Sequence, residues 1–220
     1  MTIRSLTPAG YRRAERWLAE RDAVLRVLIA SYGRCGLARS QREDPFTALV
    51  EAIVWQQLSG KAAATIYRRV LALLPNGGPP TPAGILDIEE AALRGAGLSR
   101  AKTAYIRDLS ARVRDGNVHL DSLDALDDEA VIAELTRIKG IGRWTAEMFL
   151  MFRLHRPDVL PMDDVGIVNA IRRAYRLRKP PSADRMRKIA EPWRPYRSVA
   201  CWYLWESLEA VPGGAAPADL

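Results

Sequence analysis

Hydrophobic residues recur at spacings of three and four along most of the chain. In the segment that follows Pro45, for example, Phe46, Leu49, Val50 and Ile53 would lie on one side of a helix. No segment shows the strict alternation of apolar and polar residues that is typical of a half-buried strand. The pattern therefore predicts an all-α protein.

Helix boundaries follow from the same periodicity, together with Pro, Gly and capping residues. Ser59 is a candidate N-cap, and the Pro-rich and Gly-rich segment 75–84 is predicted to be a loop. The predicted helices span residues 9–19, 21–31, 45–57, 60–74, 85–93, 99–114, 128–136, 143–154, 165–176, 183–190 and 196–208.

Composition places the chain among ordinary globular proteins. It has 220 residues, of which 48% are hydrophobic and 27% charged, so a substantial core and one or two domains are both possible. No apolar run is long enough for a membrane span, and the N-terminus has charges where a signal peptide would be apolar. Cys35 and Cys201 are too few for a disulfide framework or an iron–sulfur cluster, and we interpret them as buried thiols in an intracellular protein.

Positive charge is concentrated in one segment. The formal net charge is +7, and residues 172–197 alone contribute +8, so the rest of the chain sums to −1. We call this segment the basic block. Such a block suggests an anionic partner, with nucleic acid first and an acidic membrane surface second, although solvated helix faces also produce such runs.

The most informative stretch is residues 135–176. Its first part contains Ile138-Lys139-Gly140-Ile141-Gly142, in which two glycines form a short turn between two predicted helices. Glycine allows positive φ and close approach to a ligand, and the first N–H groups of the following helix have no partner within that helix. The turn could therefore hold a phosphate through its backbone, or it could be a plain helix-to-helix connection.

A pair of carboxylates, Asp163 and Asp164, follows the next helix and precedes another. Asp is favoured at helix N-caps and in first turns, so capping alone could explain the pair. A catalytic role is compatible with capping, because a helix N-terminus can hold a carboxylate ionised and oriented.

With these residues in place, the chain resembles the helix-hairpin-helix DNA glycosylases, and within them the bacterial DNA-3-methyladenine glycosylase II group. The resemblance covers residues 20–208. It rests on five blocks that occur in the order typical of that group: FTALVEAIVWQQLSGKAAATIYRRV, GAGLSRAKTAYI, KGIGRWTAEMFL, LPMDDVGI and PWRPYRSVACWYLW.

The resemblance implies a two-lobed helical fold with an active-site cleft between the lobes. One lobe would comprise residues 45–157, with the hairpin motif at about 128–154. The other would combine residues 8–44 with 158–208, followed by a tail, 209–220. Larger members carry a β-rich N-terminal domain, and we expect it to be absent here, since the residues before Phe46 read as helices.

The family pattern also assigns a catalytic residue. The second carboxylate of the pair, Asp164, would stabilise positive charge on the sugar or assist the attacking water, while Asp163 would cap the helix. Members that also cleave the DNA backbone have a Lys two residues after the second hairpin glycine, where this chain has Trp144. The resemblance therefore implies a monofunctional enzyme that uses water.

Several binding residues follow by the same comparison. The pocket for the flipped base would contain Trp144, Met148 and Trp205, with Met148 where the best-known pattern has Tyr, so that the wall is wider or less polar. Either Gln57 or Leu58 would be the wedge that fills the gap in the duplex. The residues implied to contact DNA phosphates are Lys139, Gly140, Gly142, Arg143 and Thr145. A monovalent cation, Na⁺ or K⁺, could bind backbone carbonyls of Thr136, Ile138 and Ile141, and no other cofactor is expected.

The expected function is hydrolysis of alkylated purines such as 3-methyladenine and 7-methylguanine from double-stranded DNA. We expect a monomer in the cytoplasm, associated with the nucleoid and not with a membrane. Two alternatives stay open at this point: a glycosylase for oxidised or mismatched bases, and a DNA-binding repair module without catalysis.

Overall fold

The computed structural model describes residues 5–39 and 44–209. Within these residues every regular element is helical, which confirms the predicted all-α fold. The helices are α1 (Pro8–Arg21), α2 (Ala23–Tyr32), α3 (Pro45–Trp55), α4 (Gly60–Leu71), α5 (Pro82–Asp87), α6 (Glu90–Gly95), α7 (Arg100–Arg114), α8 (Asp128–Leu135), α9 (Arg143–Phe152), α10 (Val165–Ala174), α11 (Ala183–Ala190) and α12 (Arg197–Glu209). None of the helices in these ranges is long and apolar enough to cross a membrane.

Two of the predicted segments are wrong, for a local reason. The segment 75–84 is not a continuous loop, because a 3₁₀ turn forms at Pro75–Gly77 and α5 begins at Pro82, with Thr81 as its N-cap. The predicted helix 85–93 is two short helices, because the backbone is extended at Ile88, the C-cap of α5.

The described residues form two compact units. The first contains residues 5–39 and 150–209, and the second contains residues 44–149. The division falls inside α9, whereas the family pattern placed it at residue 157. Hydrogen bonds of His155 explain the difference, because they join this residue to the first unit. The His155 carbonyl accepts from the Leu6 N–H, and the His155 Nδ1 lies 2.8 Å from the Tyr11 hydroxyl. The predicted tail, 209–220, lies outside the described residues except for Glu209.

In the first unit, α12 packs against α1, α2 and α10. Asp22, between α1 and α2, joins distant parts of this unit. One of its oxygens caps α2 through the N–H groups of Val24 and Leu25, and the other accepts from the Tyr175 hydroxyl and the Trp193 indole N–H. Cys35 and Cys201 are both buried, as predicted.

In the second unit, α7 is the central helix and packs against α3, α5 and α6. Its buried face carries Thr103, Ile106, Leu109 and Ser110, and both buried hydroxyls bond to carbonyls one turn earlier in the chain. This rigid helix lies beneath the hairpin that leads into α9.

Candidate active site and DNA-binding hairpin

Asp164 is the N-cap residue of α10. Its Oδ1 accepts a hydrogen bond from the Ile167 backbone N–H at 2.7 Å and another from the Trp205 indole N–H at 3.1 Å. The residue is buried, while its neighbour Asp163 is exposed. The prediction that Asp163 caps this helix is therefore wrong: α10 begins at Val165, so the N–H of its third residue, Ile167, faces Asp164.

Gly166 lets the carboxylate and the indole meet. A methyl group at this position would lie 2.9 Å from Asp164 Oδ1 and 3.2 Å from the Trp205 Nε1. Trp205 has little room to retreat, because it is buried and stacks on Phe152 with ring centroids 6.0 Å apart. The carboxylate is thus held by a helix end on one side and a fixed aromatic ring on the other.

The two residues that flank Asp164 in the chain are both exposed. Asp163 precedes it, and Val165, the first residue of α10, is 72% exposed.

The hairpin turns at Gly140, whose φ is +81°. A Cβ on this residue would lie 2.1 to 2.5 Å from the Tyr105 ring of α7, so only glycine fits. Gly142 is different, since it has open space around it and no positive φ. The positive φ that glycine allows in this turn is therefore used at Gly140 and not at Gly142.

Acidic residues offset the positive charges of the hairpin. The Lys139 backbone N–H donates to Asp108 Oδ2 at 2.9 Å, and its Nζ lies 3.8 Å from the other carboxylate oxygen. Burial raises the pKa of Asp108, but the hydrogen bonds from Lys139 and Arg112 outweigh burial, so the pKa lies below its ordinary value.

Arg143 has two acidic partners, Glu129 and Glu147. Its guanidinium holds the pKa of Glu129 below the usual range through their hydrogen bonds. Thr145, the other side chain assigned to phosphate, is buried. The backbone at the start of α9 is therefore the main candidate among the groups assigned to phosphate.

Comparison with known proteins identifies the group to which these features belong. The profile of the HhH-GPD superfamily base excision DNA repair proteins matches residues 50–195, two thirds of the chain. The chain belongs to the HhH-GPD superfamily. The match includes the turn between α3 and α4, the hairpin, α9 and Asp164.

Individual relatives agree with this family. DNA-3-methyladenine glycosylase 1 of Schizosaccharomyces pombe is 36% identical over 197 residues, covering 89% of this chain and 86% of its own. Among solved structures, the 3-methyladenine DNA glycosylase (Mag1) of the same yeast in complex with abasic DNA is 34% identical, with a TM-score of 0.74 over 90% of this chain and 97% of its own. A DNA-3-methyladenine glycosidase from Bacillus halodurans is 38% identical, with a TM-score of 0.77 and 88% coverage of both chains.

The turn between α3 and α4 carries the residues assigned to the wedge. Gln57 is exposed and has a φ of +57°, so the backbone reverses at this residue. Leu58 is also exposed, and Ser59 is the N-cap of α4 without a side-chain hydrogen bond to that helix. We call residues 56–59 the wedge turn.

The residues assigned to the base pocket differ in exposure. Trp144 is 39% exposed in the second unit, where Met148 is buried. Trp205 is buried in the first unit and contacts Asp164 directly, so among these three residues the structure adds a hydrogen-bonding role for Trp205.

The carbonyls assigned to a monovalent cation lie in the turn before α9. The Ile138 carbonyl accepts the Ile141 N–H at 3.1 Å, and the Thr136 hydroxyl donates to Ile132 at the end of α8. A set of backbone carbonyls suits a hard monovalent cation, and its binding stays a prediction.

The basic block is partly neutralised. Three of its arginines form ion pairs, Arg187 with Asp184 and both Arg194 and Arg197 with Asp158. Three others are exposed: Arg172 and Arg173 in the last turn of α10, and Arg176 just after this helix. These three are candidates for contact with phosphates.

Three residues of the site region were not anticipated from the sequence: Gly166, Tyr105 and Lys102. A glycine in the first turn of a helix weakens that helix, which could have signalled the close contact at Gly166. No local signal marks Tyr105, because its role depends on a segment 35 residues later in the chain.

Proposed function

We propose that this protein hydrolyses the N-glycosidic bond of alkylated purines in DNA, as the first step of base excision repair. Family membership and the relatives named as 3-methyladenine glycosylases support this proposal. The observation that carries it is the Asp164 carboxylate, buried and oriented by two N–H donors at the position that the family pattern assigns to catalysis.

The chemistry requires a fixed negative charge. When the bond between the base and C1′ breaks, the sugar develops oxocarbenium character, and a preorganised carboxylate stabilises that charge better than reorienting water does. The N-terminus of α10 also favours negative charge at Asp164. The base leaves with the electron pair of the broken bond. A water molecule then adds to C1′ and loses a proton to solvent. The products are a free base and an abasic site.

The preference for alkylated purines follows from their charge. An alkylated purine such as 3-methyladenine carries positive charge in DNA and is a good leaving group, so the enzyme does not need a strong acid to protonate it. A cationic base is also attracted to electron-rich aromatic faces. Trp144 offers such a face on the exposed surface of α9.

We further propose that the enzyme is monofunctional. A glycosylase that also cleaves the strand attacks C1′ with an amine to form a Schiff base. Trp144 occupies the position where such members have that Lys, and an indole cannot serve as the nucleophile. Water is then the attacking group, and the strand stays intact after the base has left.

Two kinds of contact would hold the DNA. The hairpin backbone, from Gly140 to the first turn of α9, would bind phosphate where side-chain charges are already offset, and the exposed arginines of α10 would supply the salt-dependent attraction. The wedge turn would fill the space left by the flipped nucleotide, with Gln57 the more prominent candidate because the backbone reverses there.

The test is a panel of duplexes that contain 3-methyladenine, 7-methylguanine, an etheno adduct, 8-oxoguanine or a mismatch. We expect release of free alkylated purines and a strand that breaks only after alkaline treatment. Preferred release of 8-oxoguanine or of a mismatched base would favour the alternative glycosylase, and strand cleavage without alkali would contradict the monofunctional assignment. DNA binding without release of any base would refute the proposed function.

A further inference from the structure

One side of α7 contacts both the wedge turn and the hairpin. Lys102, Tyr105 and Asp108 follow each other at intervals of three residues, so they lie along one side of the helix. Lys102 reaches the end of α3 and the wedge turn, while Tyr105 and Asp108 contact Gly140 and Lys139 of the hairpin.

The Lys102 ammonium binds two carbonyl oxygens, those of Val54 and Gln56, at 2.6 Å each. Carbonyls at the C-terminus of a helix have no partner within that helix, and an ammonium carries three donors and a charge that complements the helix dipole. No glycine ends α3 here, since its C-cap is Gln56 and the positive φ falls on Gln57. The lysine supplies the cap that the local sequence lacks.

Lys102 does not stabilise its own helix. It lies in the first turn of α7, where a positive charge opposes the helix dipole. Partial burial of the side chain also lowers the pKa of its ammonium. The position is therefore explained by the two carbonyls and not by helix propensity.

A second set of contacts connects the wedge turn with the hairpin. The Gln56 side-chain amide donates to the Gly140 carbonyl at 3.0 Å, and the Tyr105 ring occupies the space where a Cβ of Gly140 would lie. The carbonyl of Gln56 is bound to Lys102 at the same time. A single helix thus holds both segments, and Gln56 links them directly.

We propose that Lys102 is a positioning residue for nucleotide flipping, which holds the wedge turn at a fixed distance from the phosphate-binding hairpin. The inference rests on the proposed function, because it gives the wedge turn its role in duplex DNA. A wedge must enter the base stack while the hairpin holds the backbone, so a turn that shifts relative to the hairpin fills the gap less well. Flipping from a duplex then becomes less favourable, whereas a single strand has no opposing base stack to fill.

The test compares Lys102→Met with Lys102→Arg and with a matched control, Arg107→Met. Arg107 lies on the same helix and also donates to a carbonyl, that of Ile88, but far along the chain from the wedge turn. Single-turnover base release is measured on alkylated duplex DNA and on the same strand without its complement, for variants whose circular dichroism and melting temperature confirm folding.

We expect Lys102→Met to slow release from the duplex on the order of tenfold or more, with release from the single strand changed less than about twofold. Lys102→Arg should recover most of the duplex activity, because a guanidinium can also donate to two carbonyls. Equal losses on both substrates, or the same change in the duplex-to-single-strand ratio for Arg107→Met, would overturn the proposal.

Hydrogen exchange separates this inference from the proposed function. The Leu58 N–H bonds to the Trp55 carbonyl at 3.3 Å within the turn that Lys102 holds, and its exchange should accelerate in Lys102→Met but not in Arg107→Met. If the wild-type protein released no base, the proposed function would fail while this readout still reported on the turn. Unchanged exchange at Leu58 in Lys102→Met would overturn the positioning role itself.

Discussion

Replacing Gly166 with alanine adds one methyl group beside the Asp164 carboxylate, to which we assign the catalytic role. That methyl would lie 2.9 Å from Asp164 Oδ1 and 3.2 Å from Trp205 Nε1, so one of these groups has to move. Trp205 is buried and stacked on Phe152, and therefore the carboxylate should rotate away from its two N–H donors.

The magnitude follows from the hydrogen bond that is lost. A hydrogen bond to a charged group contributes about 1.5 to 3 kcal/mol, and each 1.36 kcal/mol changes a rate tenfold. If the bond from Trp205 is needed to orient Asp164 in the transition state, Gly166→Ala should slow base release by about 10-fold to 100-fold. The fold should survive, because Gly166 has no left-handed backbone and alanine in a helix stabilises it by about 1 kcal/mol relative to glycine.

The assay is single-turnover release of alkylated purines, with the melting temperature measured in parallel. Gly95→Ala is the matched control, because Gly95 also lies in a helix, has no positive φ, and has open space where the methyl would be. Normal release by a folded Gly166→Ala variant would show that the added methyl does not displace the Asp164 carboxylate from its donors. An equal loss in both variants would also contradict this specific effect.

The remaining predictions concern DNA binding and stability. Replacing Arg172, Arg173 and Arg176 with Gln should lower the slope of log DNA affinity against log salt concentration by up to about 3, measured by fluorescence anisotropy. An unchanged slope would show that these three arginines do not contact phosphates. Asp22→Ala removes the acceptor of four hydrogen bonds and should cost about 3 kcal/mol in urea unfolding; a loss below about 1 kcal/mol would contradict the joining role. The lowered pKa of Asp108 means that its stabilising contribution is present at neutral pH and lost as pH falls through the folded-state pKa. The difference in unfolding free energy between wild type and Asp108→Asn should therefore shrink from pH 7 to about pH 3, and a constant difference would contradict this linkage.

The sequence predicts those parts of the molecule that depend on local rules. The helical periodicity after Pro45 leads to α3, and Ser59 before a helical run leads to the N-cap of α4. The order of the hairpin and the carboxylate pair identifies the family. These features need only neighbouring residues, because periodicity and capping act within a few turns.

Other features depend on partners that are distant in the chain. Asp163 and Asp164 are equally good N-cap residues by type, and only the position at which α10 begins decides between them. Lys102 and Val54 are 48 residues apart, so no spacing rule relates them. The Lys139 backbone N–H likewise donates to Asp108, 31 residues away, and no local rule predicts this contact.

The most direct test of the catalytic role assigned to Asp164 compares Asp164→Asn with Asp163→Asn. Both changes remove one negative charge, at adjacent positions, but only Asp164 is buried and bound to Ile167 N–H and the Trp205 indole. Base release and affinity for an abasic duplex are measured for both variants. We expect Asp164→Asn to lose release by at least about 100-fold while it still binds the duplex, and Asp163→Asn to stay within about threefold of wild type. Comparable release by the two variants would contradict the assignment of Asp164 as the catalytic residue.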